Sequence, residues 1–130
     1  MTVAYVDTSV IVAVLLGQPG GRQMTQKLRR LEAVFSANLL EAELRSVLAR
    51  EKIDASLAAP ALRAISWVFP RRPLTPEIMA TLSAGYCRGA DLWHLACALY
   101  VAQTPEQVAF LSLDKGQKQI ATRLGFAADI

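Results

Sequence analysis

The most constraining feature is the junction near the start of the chain. Val3-Ala4-Tyr5-Val6 runs into Asp7-Thr8-Ser9, and a second apolar run, Val10 to Leu16, follows at once. The first run is short and bounded by turn chemistry, which predicts a buried strand over Val3 to Val6. The second reads as part of a helix from Thr8 to Leu16, stopped by Gly17 and Pro19. A strand and a helix, both apolar and joined almost without a linker, call for layers: a sheet with a helix laid on its face. They also leave a carboxylate, Asp7, between two segments that are both expected to be buried.

The remaining pattern repeats this theme. A helix is expected over Gly21 to Leu31, with a basic face made by Arg22, Lys27, Arg29 and Arg30. Val34-Phe35-Ser36 reads as a short strand. A long helix is expected over Leu39 to Lys52, with apolar residues at Leu40, Leu44, Val47 and Leu48 in the i, i+4, i+7, i+8 spacing. Asp54 to Trp67 reads as another helix, kinked at Pro60 or beginning later. Val68-Phe69 and Pro73-Leu74 flank a turn carrying Arg71 and Arg72. Pro76 opens a helix to about Cys87, and Ala90 to Val101 is helical. Val108 to Leu113 is an apolar strand, Lys115 to Leu124 a helix ended by Gly125, and Phe126 to Ile130 a last short strand. Strands alternate with helices through short connections. The expected fold class is therefore α/β, a small mainly parallel β-sheet flanked by helices on both faces, an α/β/α sandwich.

With 130 residues the chain suits a single domain spanning residues 1–130. No apolar stretch reaches the ~20 residues that span a bilayer. The N-terminal stretch has no Lys or Arg before Asp7 interrupts it, which argues against a secretory signal. The chain is accordingly read as cytoplasmic, with no membrane partner. Cys87 and Cys97 fit no zinc spacing and no disulfide framework, and are read as reduced thiols. The hydrophobic fraction of 53% is high enough to suggest apolar surface buried against a partner as well as in the core.

The chemistry rests on carboxylates. In a parallel sheet, ligands bind beyond the carboxyl ends of the strands. Asp7 ends the first strand, and Asp114 follows the strand that contains Ala109-Phe110-Leu111. Asp91 opens the helix after Gly89, and Glu43 lies early in the helix that starts at Leu39. Each of the three aspartates precedes a predicted helix, where Asp is a favoured N-cap, so a capping role stands beside the catalytic one. Asp114 with Gln117 even fits a capping box. If the four converge, their mutual repulsion favours proton uptake or a bound cation. Carboxylate oxygens are hard ligands suited to Mg²⁺ or Mn²⁺. The hydroxyls of Thr8 and Ser9 are placed to orient Asp7 or to cap the helix. Setting the four acids aside leaves 7 acidic residues against 14 basic ones, a surface suited to phosphates. Candidates to hold them are Arg22, Lys27, Arg29, Arg30, Arg45, Arg50, Arg71, Arg72 and Arg88.

Some choices stay open on the residues alone. Glu41 and Glu43 are two residues apart, about 200° around a helix, and the wheel does not choose between them. His94 lies one turn after Asp91. From there it can face the site, but as the only His it leaves no His-based triad or His metal cluster, and it is read as structural or incidental. Trp67 and Trp93 are read as core or interface residues. Other hydrolase classes fit poorly. A dehalogenase-type phosphatase needs a second Asp two residues after the first, where this chain has Ser9. A receiver domain needs an acidic pair near the first strand and a phosphorylatable Asp at a middle one. No G-x-x-x-x-G-K-[ST] loop is present.

Four stretches, in order, resemble the PIN domain family and within it the virulence-associated protein C (VapC) toxins. They are YVDTSVIVAVL, ANLLEAELRSVLAR, GADLWHLACALYVA and AFLSLDKGQKQIATRLGF. The resemblance implies a small parallel sheet flanked by helices. It implies a metal-dependent endoribonuclease whose acidic cluster binds Mg²⁺ or Mn²⁺. Asp7, Glu43 and Asp91 match the family's central acidic positions and Asp114 the fourth, so all four are the expected catalytic and metal residues. Glu followed by an apolar residue and then Arg favours Glu43 over Glu41. Ser112 stands where the family often has Thr or Ser. The implied partners are RNA, a cognate antitoxin protein and a second copy of the chain. A non-catalytic PIN-like module that binds RNA or protein is the alternative.

Overall fold

The computed structural model describes residues 2–130. β1 (Val3–Val6) leads directly into α1 (Thr8–Leu16), as the apolar runs require. Gly17 ends α1 in the left-handed region, φ 63°, and sends its N–H back to the Ala13 carbonyl. α2 (Gly21–Arg29), β2 (Ala33–Ala37) and α3 (Leu39–Arg50) follow. After them come a 3₁₀ turn (Ala55–Leu57), α4 (Ala58–Arg63) and β3 (Ser66–Val68). The chain continues through α5 (Thr75–Ala84), α6 (Gly89–Val101), a 3₁₀ turn (Pro105–Gln107), β4 (Val108–Leu111) and α7 (Lys115–Arg123).

The four strands form one sheet in the order β3-β2-β1-β4, every pairing parallel. Tyr5 at the centre of β1 lies beside Phe35 of β2 and Phe110 of β4. Alternation along β1 sends its residues to opposite faces. Ala4 and Val6 join a core with Val10, Met24, Leu40, Leu44, Leu48 and Leu62. Tyr5 joins a second core with Leu74, Leu95, Phe110, Ile120 and Phe126. α1 to α4 thus cover one face and α5 to α7 the other, the expected three-layer α/β sandwich. Among the described residues no helix is long and apolar enough to cross a membrane.

The order of strands locates a crevice. From β1 the chain moves outward to β2 and β3, then returns across the sheet to β4 on the other side of β1. The switch point lies between β1 and β4, and all carboxyl ends open on the same edge.

The stretch from Asp54 to Trp67 differs from expectation. It is not one helix. Asp54 Oδ1 accepts the Ser56 N–H at 2.9 Å and starts a 3₁₀ turn instead. Helix α4 begins later, at Ala58, which puts Pro60 in its first turn, where a missing N–H costs nothing. Ser66–Val68 leave the helix to pair with Phe35–Ala37 of β2 as β3. Several ends are shorter than the apolar pattern suggested: α2 stops at Arg29, α3 at Arg50, α5 at Ala84, α7 at Arg123 and β4 at Leu111. The expected last strand reduces to a single parallel bridge between Ala109 and Ala127.

Candidate active site

Asp7 is the first residue beyond β1. Its N–H donates to the Leu111 carbonyl at 3.2 Å, which carries the β1–β4 ladder one step further and fixes Asp7 at the switch point. The residue is only 4% exposed. Although Asp7 occupies the N-cap position of α1, its side chain makes no capping bond. Instead two hydroxyls hold it. Ser9 Oγ donates to Oδ1 at 2.6 Å, and Ser112 Oγ, on the residue after β4, donates to Oδ2 at 2.7 Å. Each hydroxyl is fixed in turn by a backbone donor: Leu113 N–H to Ser9 Oγ at 3.1 Å, and Asp114 N–H to Ser112 Oγ at 3.0 Å. Burial pushes the Asp7 carboxyl above the ordinary range, and the two seryl hydroxyls pull it back only in part.

Thr8 turns the other way. Its hydroxyl donates to Glu43 Oε1 at 2.6 Å, so of the two adjacent hydroxyls only Ser9 serves Asp7. Glu43 is thereby the glutamate of α3 that is tied to α1 and α6 beside Asp7. Glu41 pairs with Arg45 on the surface at 2.8 Å. The same Glu43 Oε1 lies 2.9 Å from His94 Nε2. This bond, with that of Thr8 and against partial burial, holds the Glu43 carboxyl below its usual value. His94 is almost fully buried in α6 and meets the Tyr5 hydroxyl through Nδ1 at 2.8 Å. Burial pushes the Tyr5 phenol far up, so it remains a proton donor.

Asp91 is not the cap of α6. That position belongs to Arg88, and Asp91 stands in the first turn, a favourable place for a carboxylate near a helix N-terminus. Its pKa is raised by partial burial and next by Asp114, with Glu43 adding in the same direction. Asp114 and Glu43 both lie within electrostatic reach of Asp91. Asp114 does cap: Oδ1 accepts the Gln117 N–H of α7 at 3.0 Å. The reciprocal half of the capping box does not form, because Ser112 takes the Asp114 N–H and buried Gln117 donates its Nε2 to the Asp91 carbonyl at 3.4 Å.

The four acids named from the sequence thus lie at one end of the sheet. Two residues around them, Tyr5 and Gln117, carry no such reading in the sequence, and a third, His94, is placed to face the site but read as structural. Tyr5 looks like one apolar residue of a strand and Gln117 like a partner for Asp114. The one available signal for His94 was its place three residues after Asp91, on the same side of α6. Among the candidate phosphate ligands, Lys27, Arg45, Arg50 and Arg72 are paired with Asp129, Glu41, Glu51 and Glu77. Arg88 adjoins the site and tempers the Asp91 shift. Cys97 is buried, its thiol pushed up to about 12, and Cys87 is likewise free.

Whether this set suits a cation is a question of donors. Among the described residues, no three His, Cys, Asp or Glu side chains are gathered as a ready-made metal cage. The donors on offer are carboxylate oxygens. Those fit a hard divalent ion of the Mg²⁺ kind, which keeps several waters and binds through one or two carboxylates plus substrate phosphate.

A family model described as the PIN domain matches residues 4–122. No curated protein and no solved structure matched the chain.

Proposed function

The chain belongs to the PIN domain family, a nuclease-type domain, and from that premise we propose that it is a metal-dependent endoribonuclease. The observation that carries the reading is Asp7: a carboxylate buried at the switch point of the sheet, gripped on both oxygens by Ser9 and Ser112, with three further acids around the same opening. Burial of a carboxylate without a basic partner costs stability and is retained where a site uses it. Asp7, Glu43, Asp91 and Asp114 are the carboxylates from which Mg²⁺ or Mn²⁺ would take its one or two protein ligands there. Such an ion, when bound, lowers the pKa of a water and stabilises charge on a phosphodiester. Within the protein, Ser9 and Ser112 fix the direction of the Asp7 carboxylate, and Thr8 and His94 fix that of Glu43. Arg88 offers a cation to a substrate phosphate beside Asp91.

The finer reading follows the VapC resemblance. The protein acts as the toxin of a toxin–antitoxin pair in the cytoplasm, pairs with a second copy, and is silenced by an antitoxin. Exposed Leu57, Phe69, Met79 and Tyr86 supply apolar surface for protein partners. The test is incubation of purified protein with labelled total RNA in Mg²⁺, in Mn²⁺ and in EDTA, beside Asp7→Asn. Discrete fragments that need both metal and Asp7 are expected, with activity in the variant at least ~100-fold lower. Full activity of a folded Asp7→Asn protein would remove Asp7 from the catalytic set. No cleavage by wild type would favour a PIN-like module that binds RNA or protein without cutting.

A further inference from the structure

Behind Glu43 runs a directed chain of donors that starts on the sheet. The Ala37 N–H at the end of β2 donates to the Tyr5 hydroxyl oxygen at 3.0 Å. That hydroxyl lies 2.8 Å from His94 Nδ1, and Nε2 of the same ring lies 2.9 Å from Glu43 Oε1. The position of the ring proton follows from the partners. A proton-free Nε2 would set one acceptor against a carboxylate oxygen in a buried place, so Nε2 carries a proton. Tyr5 is fully buried, and of its two hydrogen-bonded partners the Ala37 N–H can only donate. His94 Nδ1 is therefore the acceptor of the phenolic proton, and it is proton-free. Every group then has a counterpart: Ala37 gives to Tyr5, Tyr5 to Nδ1, and Nε2–H to Glu43.

We propose that His94 is a positioning residue, locked by Tyr5 with its proton on Nε2, that clamps Oε1 of Glu43 and keeps Oε2 available to a cation. Thr8 places a second donor on the same Oε1, so both protein bonds fall on one oxygen. Oε2 takes no protein hydrogen bond among the described residues. The clamp makes a carboxylate, otherwise half-open to water, present one defined oxygen. Its purpose rests on the nuclease reading; the location of the proton does not.

His94 is the only histidine, so a sample labelled with ¹⁵N-histidine reports the ring without assignment. Long-range ¹H–¹⁵N spectra should show a protonated Nε2 and a proton-free Nδ1. A protonated Nδ1, or two averaged nitrogens, would overturn the lock. Calorimetric titration of the metal-stripped protein with Mn²⁺ then tests the clamp. His94→Ala should weaken binding about 10- to 100-fold, and His94→Gln, which keeps an N–H donor, should recover most of it. Equal affinities in all three proteins, with cleavage by wild type intact, would sink the positioning role alone. No Mn²⁺ binding by wild type would overturn the nuclease reading and, with it, the purpose given to the clamp.

Discussion

At the scale of single residues, Asp7 and Glu43 are pushed in opposite directions by their surroundings. Burial raises Asp7 above its unfolded value, against two hydroxyls that pull it down. Its contribution to stability is therefore full below the unfolded carboxylate range and is lost as pH rises through the folded pKa. In its ionised form Asp7 is a net cost to the fold, which the hydroxyls of Ser9 and Ser112 reduce. Replacing it with the isosteric amide should relieve that cost. Asp7→Asn is expected to raise Tm by a few degrees at pH 8 in EDTA, with the gain closing as pH falls toward 4. Thermal melts at both pH values measure this, and a lower Tm at pH 8 would count against the account. Glu43 works the other way. His94 and Thr8 lower it, so its smaller, half-exposed contribution is present above the unfolded value and lost in acid.

Among the elements, α1 and α2 pack unusually tightly. A Cβ built on Gly21, the first residue of α2, would stand 2.4 Å from the Ala13 carbonyl oxygen of α1. The obstacle is backbone, which cannot rotate aside, so the two helices must part. Gly21→Ala is expected to cost roughly 1–3 kcal/mol, read from urea unfolding. Since Ser9 and Thr8 lie at the start of α1, any displacement should also reach the carboxylates they hold. An unchanged unfolding midpoint would show that the contact relaxes freely. Helix α6 has the complementary task. Its first turn carries Asp91 and its next turn His94, so one rigid element delivers both to the sheet edge.

For the whole molecule, charge is divided between an acidic centre and a basic remainder. With the four site acids set aside, 14 basic residues face 7 acidic ones. Binding of single-stranded RNA to the Asp7→Asn protein should weaken as salt rises. The logarithmic slope should be about −2 or steeper, the value for about three neutralised phosphates. Fluorescence anisotropy across a salt series gives the slope, and salt-independent binding would contradict a phosphate-holding surface. The arrangement of strands explains where the acidic centre sits. β1 and β4 run side by side, the helices that follow them leave toward opposite faces, and the residues just after the strands, Asp7 and Ser112 to Asp114, meet at the switch point.

What the sequence determined by itself was local in origin. The apolar run of β1, the length of α1 and the Gly17 stop depend on neighbours along the chain, and so does the alternation of strands and helices that makes the sheet parallel. Strand direction alone then puts Asp7 and Asp114 at one edge. Only tertiary structure decided the rest. Glu43 and Glu41 are equivalent on a helical wheel, and contacts from Thr8 and His94, 35 and 51 residues away in sequence, separate them. Ser66–Val68 extends because β2 offers it a row of hydrogen-bonding partners, which outweighs the helical look of the residues before it. Tyr5 and His94 become polar parts of the site because folding removes the water that would otherwise satisfy them and leaves each as the other's partner. Periodicity and turn chemistry describe how a segment folds on itself. Which side chains then share a buried space depends on segments far apart in the chain, and no single stretch of sequence carries that information.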